Sequence, residues 1–208
     1  MKKHVIAVLG TDGSGKTTIL NAIVPMIEKA KGGKAIVKHL KPDFLPPLGW
    51  FRGVRHEPGY VCVNPHGSKP SGFAGSLFRL AYLTSDYILG YWLKVRLALC
   101  RKENSCWIFD RYAYDMLLDP LRFRIRLPAW IIRFALTFIP KPDVVLCLGG
   151  DPAKIYARKP ETTLADVEHQ VTALKALCGN VCQAVWVDTT GTIEDSISAA
   201  FSALSTNR

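Results

Sequence analysis

The chain has 208 residues, of which 49% are apolar and 10% aromatic, and it carries a net charge of +10. That length allows one domain with a substantial core, or at most two small ones, and the composition excludes a disordered chain. No eighteen apolar residues run uninterrupted, and the longest apolar run, LPAWIIRFALTFI, is broken by Arg133, so no spanning helix is expected.

In chain order, residues 4–9 form an apolar run expected to be a buried strand, and residues 16–31 a helix stopped by Gly32-Gly33. The opening Met1-Lys2-Lys3 and the run after it look superficially like a secretory leader. The run is too short, and no small-residue cleavage site follows. KAIVKHL (34–40) reads as a second strand, about thirty residues after the first, as a βαβ unit requires. Residues 41–72 are rich in Pro and Gly and predict a long loop of the functional or mobile kind, able to serve as a lid. Helical spacing without proline predicts one long helix over 73–102, bent near Gly90. CWIFD (106–110) is a third strand ending at Asp110, residues 128–139 a helix, 144–148 a fourth strand and 151–158 a short helix. A helix over 164–177, a fifth strand QAVWVD (183–188) and a helix over 192–204 complete the chain. Strands alternating with helices imply an α/β fold, a parallel sheet with helices on both faces, and no linker divides it: a single domain over 1–208.

The six cysteines form no C-x-x-C pair, and most sit in apolar runs, so reduced thiols in a cytoplasmic protein are expected. Cys178 and Cys182 lie four apart without a second pair to complete a zinc site. Two basic stretches, 87–102 and 120–142, contain no acid and interleave Tyr91, Trp92, Phe123, Trp130, Phe134 and Phe138 with Arg and Lys. They suit either a solvated rim around a phosphate site or contact with a polyanion such as a membrane surface. No nucleic-acid-binding motif is present.

LGTDGSGKTT (9–18) contains G-x-x-x-x-G-K-[ST], the phosphate-binding P-loop, placed where it should be between a strand and a helix. Its glycines let the backbone curl so that successive N–H groups face phosphate oxygens, reinforced by the helix N-terminus. Gly10, Asp12, Gly13, Ser14, Gly15, Lys16, Thr17 and Thr18 are therefore the expected nucleotide-binding residues, with Lys16 on the terminal phosphates. Thr17 and Asp110 are the candidate Mg²⁺ residues, Asp110 acting through water. Arg111 would stabilise charge on the moving phosphoryl group. YARKPETT places Arg158 and Lys159 in a mobile lid at about 157–164 that closes cations over the triphosphate, unless their charge merely answers the dipole of their own helix.

GTDGSGKTT, FDRY (109–112) and KPDVVLCLGGDPAKIYARK (141–159) together resemble the thymidylate kinase branch of the P-loop nucleoside monophosphate kinases. The resemblance implies a three-layer P-loop kinase fold with a five-stranded parallel sheet, ATP as donor, Mg²⁺ as cofactor, and a dimer face on the helix over 73–102. The match weakens on the acceptor side. Lys41 stands where the family carries Glu, and the nearest register of the middle helix puts Leu83 and Tyr87 where the family carries a base-stacking Phe and a phosphate-gripping Arg. A phosphate-bearing acceptor needs a fixed cation; Tyr in that place favours a neutral hydroxyl, unless Arg79, Arg122 or Arg124 takes over the grip. A hydroxyl also needs a carboxylate to take its proton: Asp12 first, then Asp86 or Asp115. For Asp12 the plainer alternative is an Asx turn within the loop.

Three functions follow as expectations. The first is a Mg-ATP-dependent kinase whose acceptor is not dTMP but a sugar or glycolipid hydroxyl of cell-surface polysaccharide synthesis, working in the cytoplasm or at its membrane surface. The second is a genuine nucleoside monophosphate kinase, and the third a nucleotide-binding switch with little catalysis.

Overall fold

A computed structural model describes residues 5–46, 72–101, 105–160 and 163–205. Most of the loop expected over 41–72, and residues 161 and 162 of the expected lid, lie outside them. The described residues fall into two compact units. One comprises Met1–Leu40, Ala98–Tyr112 and Lys141–Arg208, and the other Lys41–Leu97 and Ala113–Pro140.

The first unit is built on five parallel strands: β1 (Val5–Gly10), β2 (Ala35–His39), β3 (Cys106–Asp110), β4 (Val144–Gly149) and β5 (Ala184–Asp188). Their spatial order is β2-β3-β1-β4-β5. β1 and β4 are buried along their whole length, as expected of near-continuous apolar strands in a parallel sheet. Helices α1 (Lys16–Lys31) and α8 (Ile193–Ser205) pack together over one face. Ile19, Ile23 and Ile27 of α1 and Ala200 and Leu204 of α8 bury against Ile6, Val8, Ile108, Leu146 and Val187. Helix α7 (Leu164–Asn180), joined by α6 (Pro152–Arg158), buries Val167 and Val171 with Ile155 and the partly buried Trp186. Val187 and Trp186 are neighbours in β5, and the period of two sends them to these separate clusters.

The parallel register sets the ends of the strands level. Val8 of β1 and His39 of β2 each lie opposite Asp110 of β3, and Gly149 of β4 is opposite Asp188 of β5. The carboxyl ends of such strands are where an open parallel sheet binds its ligands.

The second unit is helical among its described residues. Helix α2 (Phe73–Gly90) runs into a π-helical stretch, Tyr91–Arg96, and then α3 (Leu97–Arg101), whose later residues belong to the first unit. The sequence predicts one helix over 73–102 with a bend near Gly90; the irregularity is instead this widened turn just beyond it. A Cβ at Gly90 would come within 2.5 Å of Pro42, and Lys94 donates hydrogen bonds to the carbonyls of Pro42 and Asp43. The widening thus falls where the segment of Pro42 and Asp43 packs against the helix. Helix α4 (Asp115–Leu118) and a 3₁₀ turn at Pro120–Phe123 are absent from the sequence reading, being too short to show periodicity. Helix α5 (Ala129–Leu136) is shorter than the expected 128–139, because Thr137, Phe138 and Ile139 close it with i→i+3 hydrogen bonds.

The described cysteines, at 100, 106, 147, 178 and 182, are free thiols. Burial pushes the Cys106 thiol up to about 11, so it is protonated at neutral pH. No described helix is long and apolar enough to cross a membrane.

Two glycines predict opposite outcomes. A Cβ at Gly149 would overlap the indole of Trp186, a rigid neighbour, so Gly149→Ala is expected to cost about 1–3 kcal/mol. At Gly179, inside α7, a Cβ meets nothing within 4 Å, and Gly179→Ala is expected to stabilise by about 0.5–1 kcal/mol. Thermal melts of the two variants beside the parent check both signs.

Candidate active site

The loop from Gly10 to Lys16 leaves β1 and enters α1. Gly13 (φ 85°) and Gly15 (φ 79°) adopt the left-handed conformation that lets the chain curl, and Gly15 caps α1 with no side-chain hydrogen bond. A Cβ at Gly13 would also lie 2.7 Å from the carbonyl oxygen of Ile155 and 3.3 Å from Lys159 Cβ, so the loop and the end of α6 are in close contact. Lys16 folds back over its own loop: its Nζ donates to the carbonyls of Gly10 (3.0 Å) and Thr11 (2.7 Å). Thr17 and Thr18 are exposed in the first turn of α1.

Around this loop the first unit gathers charge. Arg111 Nη2 donates to Asp12 Oδ1 at 2.6 Å, and Lys16 Nζ lies 3.8 Å from the same oxygen. Arg111 is buried, and its backbone is left-handed (φ 76°), a conformation costing a non-glycine residue about 1–3 kcal/mol. Its N–H is bonded to Val8 O at 2.9 Å, which ties it to β1. Asp110, one residue earlier, accepts a hydrogen bond from His39 Nδ1 at Oδ2, 3.2 Å away. Burial raises the pKa of the Asp110 carboxyl, but the His39 hydrogen bond and the charges of His39, Lys16 and Arg111 more than offset it, and the net shift is downward.

Three buried oxygens at this site have no hydrogen-bond partner: Thr11 Oγ1, Ser14 Oγ and Asp110 Oδ1. Buried polar atoms are seldom left so. An acceptor-only carboxylate oxygen suits a hydrated divalent cation, and the hydroxyls and curled amides suit phosphate oxygens. Among the described residues no group of three or more His, Cys, Asp or Glu side chains could hold a metal alone. Mg²⁺ commonly needs no such group, since one or two carboxylates, water and substrate phosphates suffice. The residues present therefore fit a magnesium-bound polyphosphate.

Arg158 is placed differently from the sequence expectation. Its Nη1 donates to the carbonyl of Thr189 at 2.7 Å, beside the end of β5, rather than extending over the loop. Lys159 is the cation whose stem lies next to Gly13. His39 was missed by sequence reasoning. It is the last residue of β2, and setting KAIVKH beside CWIFD in parallel register brings it next to Asp110.

In the second unit the residues weighed for the acceptor prove largely structural. Asp86, fully buried, accepts from Lys41 Nζ at 2.7 Å, from Phe44 N at 2.8 Å and from Leu45 N at 2.6 Å. It is a clamp on the segment that contains Lys41 and the left-handed Asp43 (φ 53°), not an open base. Tyr87 is buried in α2 and Leu83 half-buried. Arg122 pairs with Asp119 at 3.3 Å, Arg79 and Arg124 are half-buried, and Asp115 is buried in α4.

Comparison with solved structures places this fold. A thymidylate kinase from Candida albicans, described as having broad substrate specificity, superposes with a TM-score of 0.64 at 16% identity, covering 99% of this chain and 92% of that one. One from Ehrlichia chaffeensis gives 0.62 at 13% identity, covering 99% and 100%. No protein-family model and no curated protein sequence matches the chain. The chain has the fold of the thymidylate kinases, a P-loop kinase fold with a five-stranded parallel sheet, as its sequence motifs imply.

Removing the Asp86 clamp leaves two backbone N–H groups without their acceptor and the Lys41 ammonium with only the longer 3.5 Å pairing to Asp43 Oδ1. Asp86→Ala is expected to cost about 3 kcal/mol, toward the low end for a broken buried pair because Lys41 keeps its pairing with Asp43. Denaturant titration measures it. A pH test falls at the end of β5. Hydrogen bonds from the Thr190 side chain and backbone hold the Asp188 carboxyl below its ordinary 3.8 against a smaller effect of burial, with Lys154 and Arg158 assisting. Its contribution is therefore present above pH 3.8 and lost as pH falls through the lower folded value. Asp188→Asn should be less stable than the parent from pH 5 upward, the two converging as pH drops below about 3.8.

Proposed function

We propose that this protein is a Mg-ATP-dependent phosphotransferase. The observation carrying this reading is the cluster of Lys16, Asp12, Arg111 and Asp110 about a glycine-curled loop, with three buried oxygens left without partners beside it. The loop amides and the α1 N-terminus would bind the triphosphate, and Lys16 would exchange its two loop carbonyls for phosphate oxygens. Asp110 and Thr17 would hold Mg²⁺, which supplies neutralisation of phosphate charge and orientation of the transferred group. Arg111 holds Asp12 and is itself a cation at the site. Asp12 is then positioned to accept the proton of an attacking hydroxyl.

For the acceptor we favour a neutral hydroxyl of a sugar or glycolipid over dTMP. Two candidate cations are already paired with carboxylates, Lys41 with Asp86 and Arg122 with Asp119, and Tyr87, which the nearest register of the resemblance sets where thymidylate kinases carry arginine, is buried. A genuine nucleoside monophosphate kinase is the second reading, favoured by the end-to-end superposition on two thymidylate kinases.

Incubation with γ-labelled ATP and a fractionated lysate, followed by identification of the labelled product, tests the acceptor, with coupled ADP release over the nucleoside monophosphates run alongside. A labelled sugar or glycolipid is expected. Turnover of dTMP at ordinary kinase rates with no such product would remove the first reading in favour of the second. Lys16→Ala is expected to lower kcat by about 10²–10³, a loss of about 3–4 kcal/mol of transition-state stabilisation. If it works as fast as the parent while still binding nucleotide, the loop is not catalytic.

A further inference from the structure

Helix α5 leaves an aromatic stripe uncovered. Trp130 and Phe134 lie four residues apart on it, and Phe138 follows after four more, in the turn that closes the helix. Their exposures are 69%, 63% and 57%, and the Phe134 and Phe138 rings meet edge to face at 5.1 Å. Aromatic side chains of roughly 150–250 Å² exposed to that degree present roughly 300–450 Å² together, the size of patch that marks a contact surface. Burial does not account for the stripe, because α5 packs on α2 and α4 with Ile132 buried. The segment leading into α5 is also fixed in place, since the Arg126 N–H donates to Ser76 Oγ of α2 at 3.0 Å.

The charge around the stripe is of one sign. Arg126 and Arg133 are exposed, without an ion pair among the described residues, and no Asp or Glu occurs from Pro120 to Pro142. A second copy of this chain is a poor match, because symmetric pairing would bring two such basic faces together on chains of net charge +10. A lipid surface with anionic headgroups fits both properties: aromatic rings enter the headgroup boundary and arginines meet the phosphates. Since no described helix can span a bilayer, the chain would lie on it.

We propose that the Trp130–Phe134–Phe138 face of α5, flanked by Arg126 and Arg133, docks on an anionic membrane surface. The proposal uses no residue of the nucleotide-binding loop and holds whichever acceptor is phosphorylated.

The test is flotation of the full chain with vesicles of phosphatidylcholine alone and with vesicles containing roughly a third phosphatidylglycerol, at about 0.1 M salt. Binding to the anionic vesicles at least about tenfold above the neutral ones is expected, weakening as salt rises. Trp130→Ser with Phe134→Ser and Phe138→Ser, and separately Arg126→Glu with Arg133→Glu, should each weaken it at least about tenfold while nucleotide binding persists. Should the triple aromatic variant fail to fold, the doubly charge-reversed variant, altered only at exposed side chains, decides alone. The proposal is overturned if the parent binds neither vesicle, if it binds both equally, or if the variants float like the parent. It is equally overturned if sedimentation velocity shows a dimer that Phe134→Ser turns into monomer without any vesicle binding, which would make the stripe an interface between copies. Transfer of labelled phosphate is a separate readout, so failure here leaves the proposed reaction standing.

Discussion

The 2.6 Å ion pair between Arg111 and Asp12 is the contact on which the candidate site depends. It joins the residue after β3 to the middle of the loop after β1, across a sheet interval that the backbone bond from Arg111 N to Val8 O also spans. Because the guanidinium is buried, an unpaired Asp12 would leave a charge poorly solvated, so the pair holds the loop in its curled form. The strained backbone of Arg111 is the cost of aiming its side chain back over β1. Lys16, turned onto the Gly10 and Thr11 carbonyls, closes the same small volume from the other side.

Much of this arrangement was legible in the sequence, and for identifiable reasons. The five strands are short apolar runs separated by helices of clear period, and parallel sheets bury such strands on both faces, so pattern and packing agree. The phosphate loop is legible because its glycines and lysine have few structural alternatives in a strand-to-helix turn. The acceptor side is less so. Lys41 and Asp86 are forty-five residues apart, and no local pattern announces that a helix carboxylate will clamp a loop through one ammonium and two amides. Short elements such as α4 and the 3₁₀ turn at Pro120–Phe123 are set by local hydrogen bonds, Asp119 accepting from Arg122 N, and carry no period to read.

The placement of Arg158 shows the difference between residue type and residue position. A basic pair after a short helix suggests cations poised above phosphate, yet the structure hands Arg158 to the Thr189 carbonyl and sets the Lys159 stem beside Gly13. Sequence supplies the charge; the direction in which it points depends on a carbonyl thirty-one residues away. The clamp of Asp86 has the same moral in reverse, since a carboxylate that looks chemical is consumed by architecture.

Gly13 deserves its final consequence. With Ile155 O 2.7 Å from where a methyl group would begin, the phosphate loop and the last turn of α6 leave no slack between them. A side chain at Gly13 would push the loop and α6 apart, so the close approach is available to glycine alone. The phosphate loop and α6 are thus fitted to one another at Gly13, and only a residue without a side chain keeps that fit.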